Sequence, residues 1–192
     1  MNIDITNCNK ANVVDSCSLW NILSSLVVYS VILENRFSFS ITKFVEYECL
    51  YKKRTMTNAK ETDLQNHLRT EIRKGNVACH NLTIEDLQED SILEYRKTIG
   101  IGELSSIAFA KKVAISFLTD DQKARKIGKE VLGNSFVQTT PLVLGWLFYN
   151  NLLSDGDIEA IIKSHNDHNR PLEKYFREAH AESLRLKYLL KV

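Results

Sequence analysis

Short apolar runs alternate with stretches of helical spacing along most of the chain, and this alternation limits the fold more than any other feature. Val13 and Val14 are a β-branched pair suited to a buried strand, and Leu19, Ile22, Leu23 and Leu26 follow at helical spacing. In "RFSFSIT" the apolar Phe37, Phe39 and Ile41 alternate with polar residues, the period of a strand, before Phe44 to Leu50 returns to a helical pattern. Further strands are expected over 77–82, in "VAISFL" and in "SFVQTT" ahead of Pro141. Between them lie a polar helix over 56–74 closed by Gly75, and a helix capped by Thr83 and Asp86 that reaches about Lys97. A helix from Ile101 and another over "QKARKIGKEVL" complete the alternation, and three more helical stretches follow Pro141 and run to about Leu190.

Near-continuous apolar strands separated by helices call for a parallel sheet buried on both faces. The expected class is therefore α/β, a three-layer α/β/α sandwich around five parallel strands. At 192 residues, with 44% apolar content and neither repeat nor linker, the chain should form one domain over 1–192. Its core would span about 11–140, with the helices of 141–192 packed on it as an extension.

A formal charge of +1 removes any global argument for nucleic acid or membrane, so an anionic partner needs a local basic patch. The segment 19–33 is short of the roughly 20 residues that span a bilayer and carries Asn21 and several Ser, which reads as a core helix. Cys8, Cys17, Cys49 and Cys79 form no CxxC pair and follow no secretory leader, as expected of reduced thiols in a cytoplasm.

The acids carry the chemistry. In open parallel sheets, ligands bind beyond the carboxyl ends of strands where the strand order reverses. Asp15 follows the first strand, and Asp120 with Asp121 follows the fourth, so all three fall on that rim. A strand-end Asp is also what caps the next helix, and this reading stands beside the functional one. Glu103 shares a helical stripe with Ile107 and Ala110, and Glu48 shares one with Phe44 and Val45 while Glu46 points away. Carboxylates gathered without His or Cys suit a hard divalent cation, Mg²⁺ or Mn²⁺.

The four stretches "VVDSCSLW", "ITKFVEYECL", "GIGELSSIAFAKK" and "FLTDDQKAR" resemble the four acidic signatures of PIN domains, metal-dependent ribonucleases that include many toxins of bacterial toxin-antitoxin pairs. The resemblance covers roughly 11–140. It implies strand order 3-2-1-4-5, and Asp15, Glu48, Glu103 and Asp121 as the catalytic and metal-holding quartet, with Asp120 as a further ligand. It also implies hydrolysis of RNA phosphodiester bonds with Mg²⁺ or Mn²⁺, and an antitoxin protein or a second copy of the chain as protein partners. The stretch 52–97 and the helices after Pro141 exceed the family's usual core, and the third acid, often Asp in the family, is Glu103.

Phosphates would be guided by Lys43, Lys123 and Arg125, with Lys126 and the run Lys52, Lys53 and Arg54 as further cations, although each also reads as a solvated helix face. Cys17 reads as a packed thiol, His165 and His168 as part of a polar helix end, and Trp20 and Trp146 as core. A haloacid-dehalogenase-like phosphatase would need a second Asp two residues after Asp15, where Cys17 stands. The remaining rival is a PIN-like module that binds nucleic acid or protein without cutting.

Overall fold

The computed structural model describes residues 4–53 and 59–189. Arg54, Met56 and Leu190 lie outside the described residues. Five strands run in chain order, β1 (Ala11–Val14), β2 (Ser38–Thr42), β3 (Val77–His80), β4 (Ser116–Leu118) and β5 (Val137–Gln138). All neighbours pair in parallel, in the order β3-β2-β1-β4-β5. Among the described residues there are eleven α-helices. Two connect β1 to β2, α1 (Ser16–Leu23) and α2 (Leu26–Glu34), and two connect β2 to β3, α3 (Lys43–Leu50) and α4 (Ala59–Lys74). The crossover from β3 to β4 carries α5 (Ile84–Gln88), α6 (Asp90–Leu93) and α7 (Ile101–Val113). From β4 to β5 runs α8 (Gln122–Leu132), and α9 (Thr140–Tyr149), α10 (Asp157–Asp167) and α11 (Glu173–Leu189) end the chain.

The topology sorts the helices onto two faces. Parallel crossovers are right-handed, so reversing the direction of travel across the sheet puts the connecting helices on the other side. The chain moves outward from β1 to β3 and then jumps back across β1 to β4, so β1 and β4 flank the reversal. Val13 and its register partner Phe117 pack with Leu104, Ile107 and Ile127 of α7 and α8. Val14 and its partner Leu118 face the opposite way, into a larger cluster with Ile22, Ile32, Leu68, Leu147 and Phe176. Strand alternation thus feeds both cores from the same two strands. Each fully buried large side chain in them contributes about 1.5–3 kcal/mol.

Five elements depart from the sequence expectation, the simplest being the third strand, which ends at His80 and not at Leu82. The single helix expected over 19–33 is α1 and α2, bent by 98°. Ser24 Oγ donates to the carbonyl of Asn21 and Ser25 Oγ accepts from the Val28 amide, so the two hydroxyls take over backbone bonding and turn the chain. The pair together matches a span in length and composition only, and Leu19, Ile22, Leu23, Val28 and Ile32 are buried in the core; among the described residues no single helix is long and apolar enough to cross a membrane. The helix expected from Thr83 to Lys97 does begin with the Thr83–Asp86 capping box but breaks into α5 and α6. The fourth strand is shorter than expected because α7 runs to Val113 and closes on Ala114 in the left-handed region. The fifth ends at Gln138, since Thr139 already caps α9 and Pro141 lies in its first turn, where a missing N–H costs nothing.

The three last helices pack against the sheet's larger core through Val143, Leu144, Leu147, Ile161 and Phe176. At the α9–α11 crossing a Cβ on Gly145 would lie 2.7 Å from Ile5 Cγ2 and 3.2 Å from Ala179 Cβ, so only glycine lets the helices and the N-terminal segment meet there.

Candidate active site

The register that pairs Val14 with Leu118 brings the exits of β1 and β4 side by side. Asp15 caps α1, its Oδ1 accepting from the Ser18 amide at 2.8 Å. Its Oδ2 accepts from the Thr119 hydroxyl, and the same hydroxyl accepts from the Asp121 amide at 3.2 Å. Ser18 Oγ in turn accepts from the Asp120 amide at 2.7 Å. One net of two hydroxyls therefore fixes both strand ends. Asp15 is 1% exposed. Burial pushes its carboxyl up to about 7; bonds from Thr119 and Ser18 oppose the shift and the nearby Asp120 adds to it.

The adjacent aspartates do different things. Asp120 accepts from Asn21 Nδ2 at 2.8 Å and from both the amide and the hydroxyl of Thr140, which ties α1 to the start of α9. Its oxygens are committed to that clamp, which makes it the weaker ligand of the two. Asp121 is exposed and caps α8 through Oδ1 and the Ala124 amide at 2.8 Å, while its Oδ2 accepts no hydrogen bond among the described residues. Asp15 and Asp121 are thus helix caps as well as rim acids. A cap uses one oxygen of a carboxylate and leaves the rest of its acceptor capacity.

Glu48 and Glu103 meet from α3 and α7. Thr42, the cap of α3, bonds Ser105 of α7 at 2.8 Å, and Ser105 and Ser106 both donate to the Gly102 carbonyl. A Cβ on Gly102 would stand 2.3 Å from Glu48 Oε2, so the bare glycine is the notch in which the Glu48 carboxylate sits. Glu103 folds back in the first turn of α7, with Oε2 2.4 Å from where a Gly100 Cβ would be. Burial raises the Glu103 carboxyl, the Gly100 and Glu103 amides pull it down, and Glu48 and Asp121 push it up further. Glu46 points elsewhere, pairing with Lys43 at 2.6 Å and accepting from Cys79 Sγ at 3.4 Å.

Like-charge coupling thus links Asp15 with Asp120, and Glu103 with both Glu48 and Asp121. None of these five acids has a salt-bridge partner among the described residues. Among the described residues no three His, Cys, Asp or Glu side chains stand close enough to hold an ion by themselves. The rim is a string of neighbours, a layout that suits Mg²⁺, which keeps several waters and takes one or two carboxylates plus substrate phosphate oxygens. The all-oxygen donor set, with two carboxyls raised by burial and like charge, fits such a cation.

Of the sequence-nominated cations, Lys43 is engaged by Glu46, and Lys52 and Lys53 are exposed beyond α3. Lys123, Arg125 and Lys126 lie on α8, directly after the acidic pair. His165 is buried, with Nε2 2.7 Å from the Asn21 carbonyl, and His168 bonds the Ser164 carbonyl, so their spacing serves helix packing. Cys17 is exposed, not packed as expected, and its thiol is pushed up to about 11, by desolvation first and then by Asp15 and Asp120. Sequence reasoning missed Ser18, Thr119, Asn21, Thr140 and Gly102. The signals for two of them were a hydroxyl directly before the acids of "TDD" and a glycine directly before Glu103. Compared with known proteins, the chain matches no family model, no curated protein and no solved structure.

Proposed function

We propose that this chain is a PIN-like, Mg²⁺- or Mn²⁺-dependent endoribonuclease. The observation that carries the reading is that acids from four separate segments gather along the rim at the β1/β4 reversal with no cationic partner among the described residues. Burying and crowding carboxylates without compensation opposes folding, and a bound cation is the simplest compensation.

One or two carboxylates at a time from Asp15, Glu48, Glu103 and Asp121, together with waters, would hold the cation, with Asp120 as the anchor behind them. When bound, the cation supplies a water of lowered pKa and neutralises charge developing on the phosphodiester. The protein's own residues set the geometry. Ser18 and Thr119 fix the Asp15 carboxylate, and the Gly102 notch fixes that of Glu48. Asp120 braces the rim against α1 and α9. Lys123 and Arg125 counter the repulsion an RNA backbone meets at an acidic rim. In the toxin-like version of this reading, an antitoxin protein would restrain the activity in a cytoplasm.

The test is cleavage of a labelled single-stranded RNA. Turnover should require Mg²⁺ or Mn²⁺, stop with a chelator, and vanish in Asp121→Asn, whose amide oxygen can still cap Ala124. The second reading, a binding module, draws on the lack of a ready three-ligand group among the described residues. RNA binding without turnover under every divalent metal tried would establish it and end the nuclease proposal.

A further inference from the structure

Beyond the acids, the rim opens into a crevice of about 790 Å³ whose walls include Lys123, Arg125, Lys126 and Lys129. None of these four cations has an ion-pair partner among the described residues. Lys111, Lys112, Arg177 and Arg185, by comparison, are each paired with a carboxylate. The acid lining the crevice, Asp4, is already bonded to Thr6. Val137 and Leu142 give the crevice an apolar wall.

A second cavity, of about 120 Å³, shares Gln122, Arg125 and Thr139 with the crevice and reaches Asp120. Its far side is built by the C-terminal helices, with Pro141, Leu172 and Tyr175, the last 40% exposed. Arg125 therefore stands between an aromatic cavity at the acids and a cationic crevice leading away from them. Unpaired cations in a row answer phosphates, and an exposed ring among apolar side chains answers a base freed from a duplex.

We propose that these two cavities are the path of single-stranded RNA, with backbone phosphates along Lys123, Arg125, Lys126 and Lys129 and one base stacked on Tyr175. The inference names where the substrate of the nuclease reading runs, and rests on that reading for the identity of the chain that enters. It also gives the helices after Pro141 a task, because Tyr175 supplies the stacking surface.

The experiment measures binding of a labelled single-stranded RNA to the full chain by fluorescence anisotropy, in chelator, over a range of salt. Replacing Lys126 and Lys129 together by alanine should weaken binding and flatten the plot of log affinity against log salt by about 1.4, since each phosphate contact on a single strand contributes about 0.7. Tyr175→Ala should weaken binding roughly tenfold with the salt slope kept, and Tyr175→Phe should bind like the parent. Lys163→Ala, exposed on α10 and away from the crevice, should change nothing. Unchanged affinity in the lysine and tyrosine variants overturns the proposal, as does an RNA duplex or an acidic peptide that binds as tightly as the single strand with the same sensitivities. Hydrolysis of a small chromogenic phosphodiester by the parent in Mn²⁺ reads the acids separately. Its absence beside sensitive RNA binding sinks the nuclease reading and keeps the path; its presence beside insensitive binding does the reverse.

Discussion

Glu71 on α4 and Asp15 at the end of β1 are both carboxylates almost wholly out of water, 3% and 1% exposed, yet their surroundings are opposite. Glu71 accepts from Tyr29 Oη at 2.8 Å, Lys74 Nζ at 2.9 Å and Asn76 Nδ2 at 2.6 Å. Burial pushes its carboxyl up, but the bonds from Asn76, Lys74 and Tyr29 outweigh that and leave it below the usual range. Asp15 has one amide, one hydroxyl and a neighbouring acid, and burial wins. The first region is a finished structural pair. The second holds a carboxyl whose charged form its own surroundings do not repay, and on the proposed reading an external cation would do so.

The largest expected effect separates the two outright. Asp15→Asn keeps an oxygen to cap Ser18, so it should fold, while metal-dependent RNA cleavage drops by roughly a hundredfold or more. A kinetic assay beside a thermal melt checks this, and normal turnover would erase the contrast. Glu71→Gln should do the reverse. It removes a charge-assisted acceptor beneath Lys74, so denaturant unfolding should show a loss of about 2 kcal/mol with turnover per folded molecule retained. Gly102→Ala is a subtler probe of the rim. The new Cβ collides with the Glu48 carboxylate, the movable end of a side chain, so cleavage should fall roughly tenfold. Stability should change by less than about 1 kcal/mol, because alanine is the better helix residue. Equal turnover would mean that Glu48 is not needed where it sits.

The smallest effect is one of pH. In the fold the Asp15 carboxyl is raised from an ordinary 3.8 to about 7, so its protonated form is the one the fold prefers. The stabilisation this gives is complete below about pH 4 and is lost as pH rises through about 7. Glu71, shifted the other way, contributes stability above its unfolded value that is lost on acidification. In chelator, melting temperatures of wild type minus Asp15→Asn should therefore decline by a few degrees from pH 4 to pH 7, and Mg²⁺ or Mn²⁺ at pH 7 should reverse the decline. A flat difference would show that Asp15 is better compensated than its contacts suggest.

The sheet was legible because strands buried on both faces need apolar runs, which Val13–Val14 and Phe117–Leu118 supply, while β2 showed itself by the alternation of Phe39 and Ile41 with serines. Strand ends were less legible, since Ala114 and Thr139 belong to caps whose side chains and dihedrals leave no periodic mark. Of the site, the acids stood out by position, and Glu46 and Glu48 separated by helical face as expected. The net that holds the acids did not stand out. Thr119 reaches Asp15 across 104 residues of chain and Asn21 reaches Asp120 across 99, and no local pattern encodes such pairings. Lys43, a substrate cation by sequence position, is instead taken up by Glu46 one turn along the same helix.

The Asp120 clamp limits where the chain can be cut. Through Asn21 on one side and Thr140 on the other, a single carboxylate joins the first helix to the segment that follows the sheet. Cutting the chain after β5 would strip two donors from Asp120 and free it to turn toward its acidic neighbours. The tail is thus a keystone for the rim.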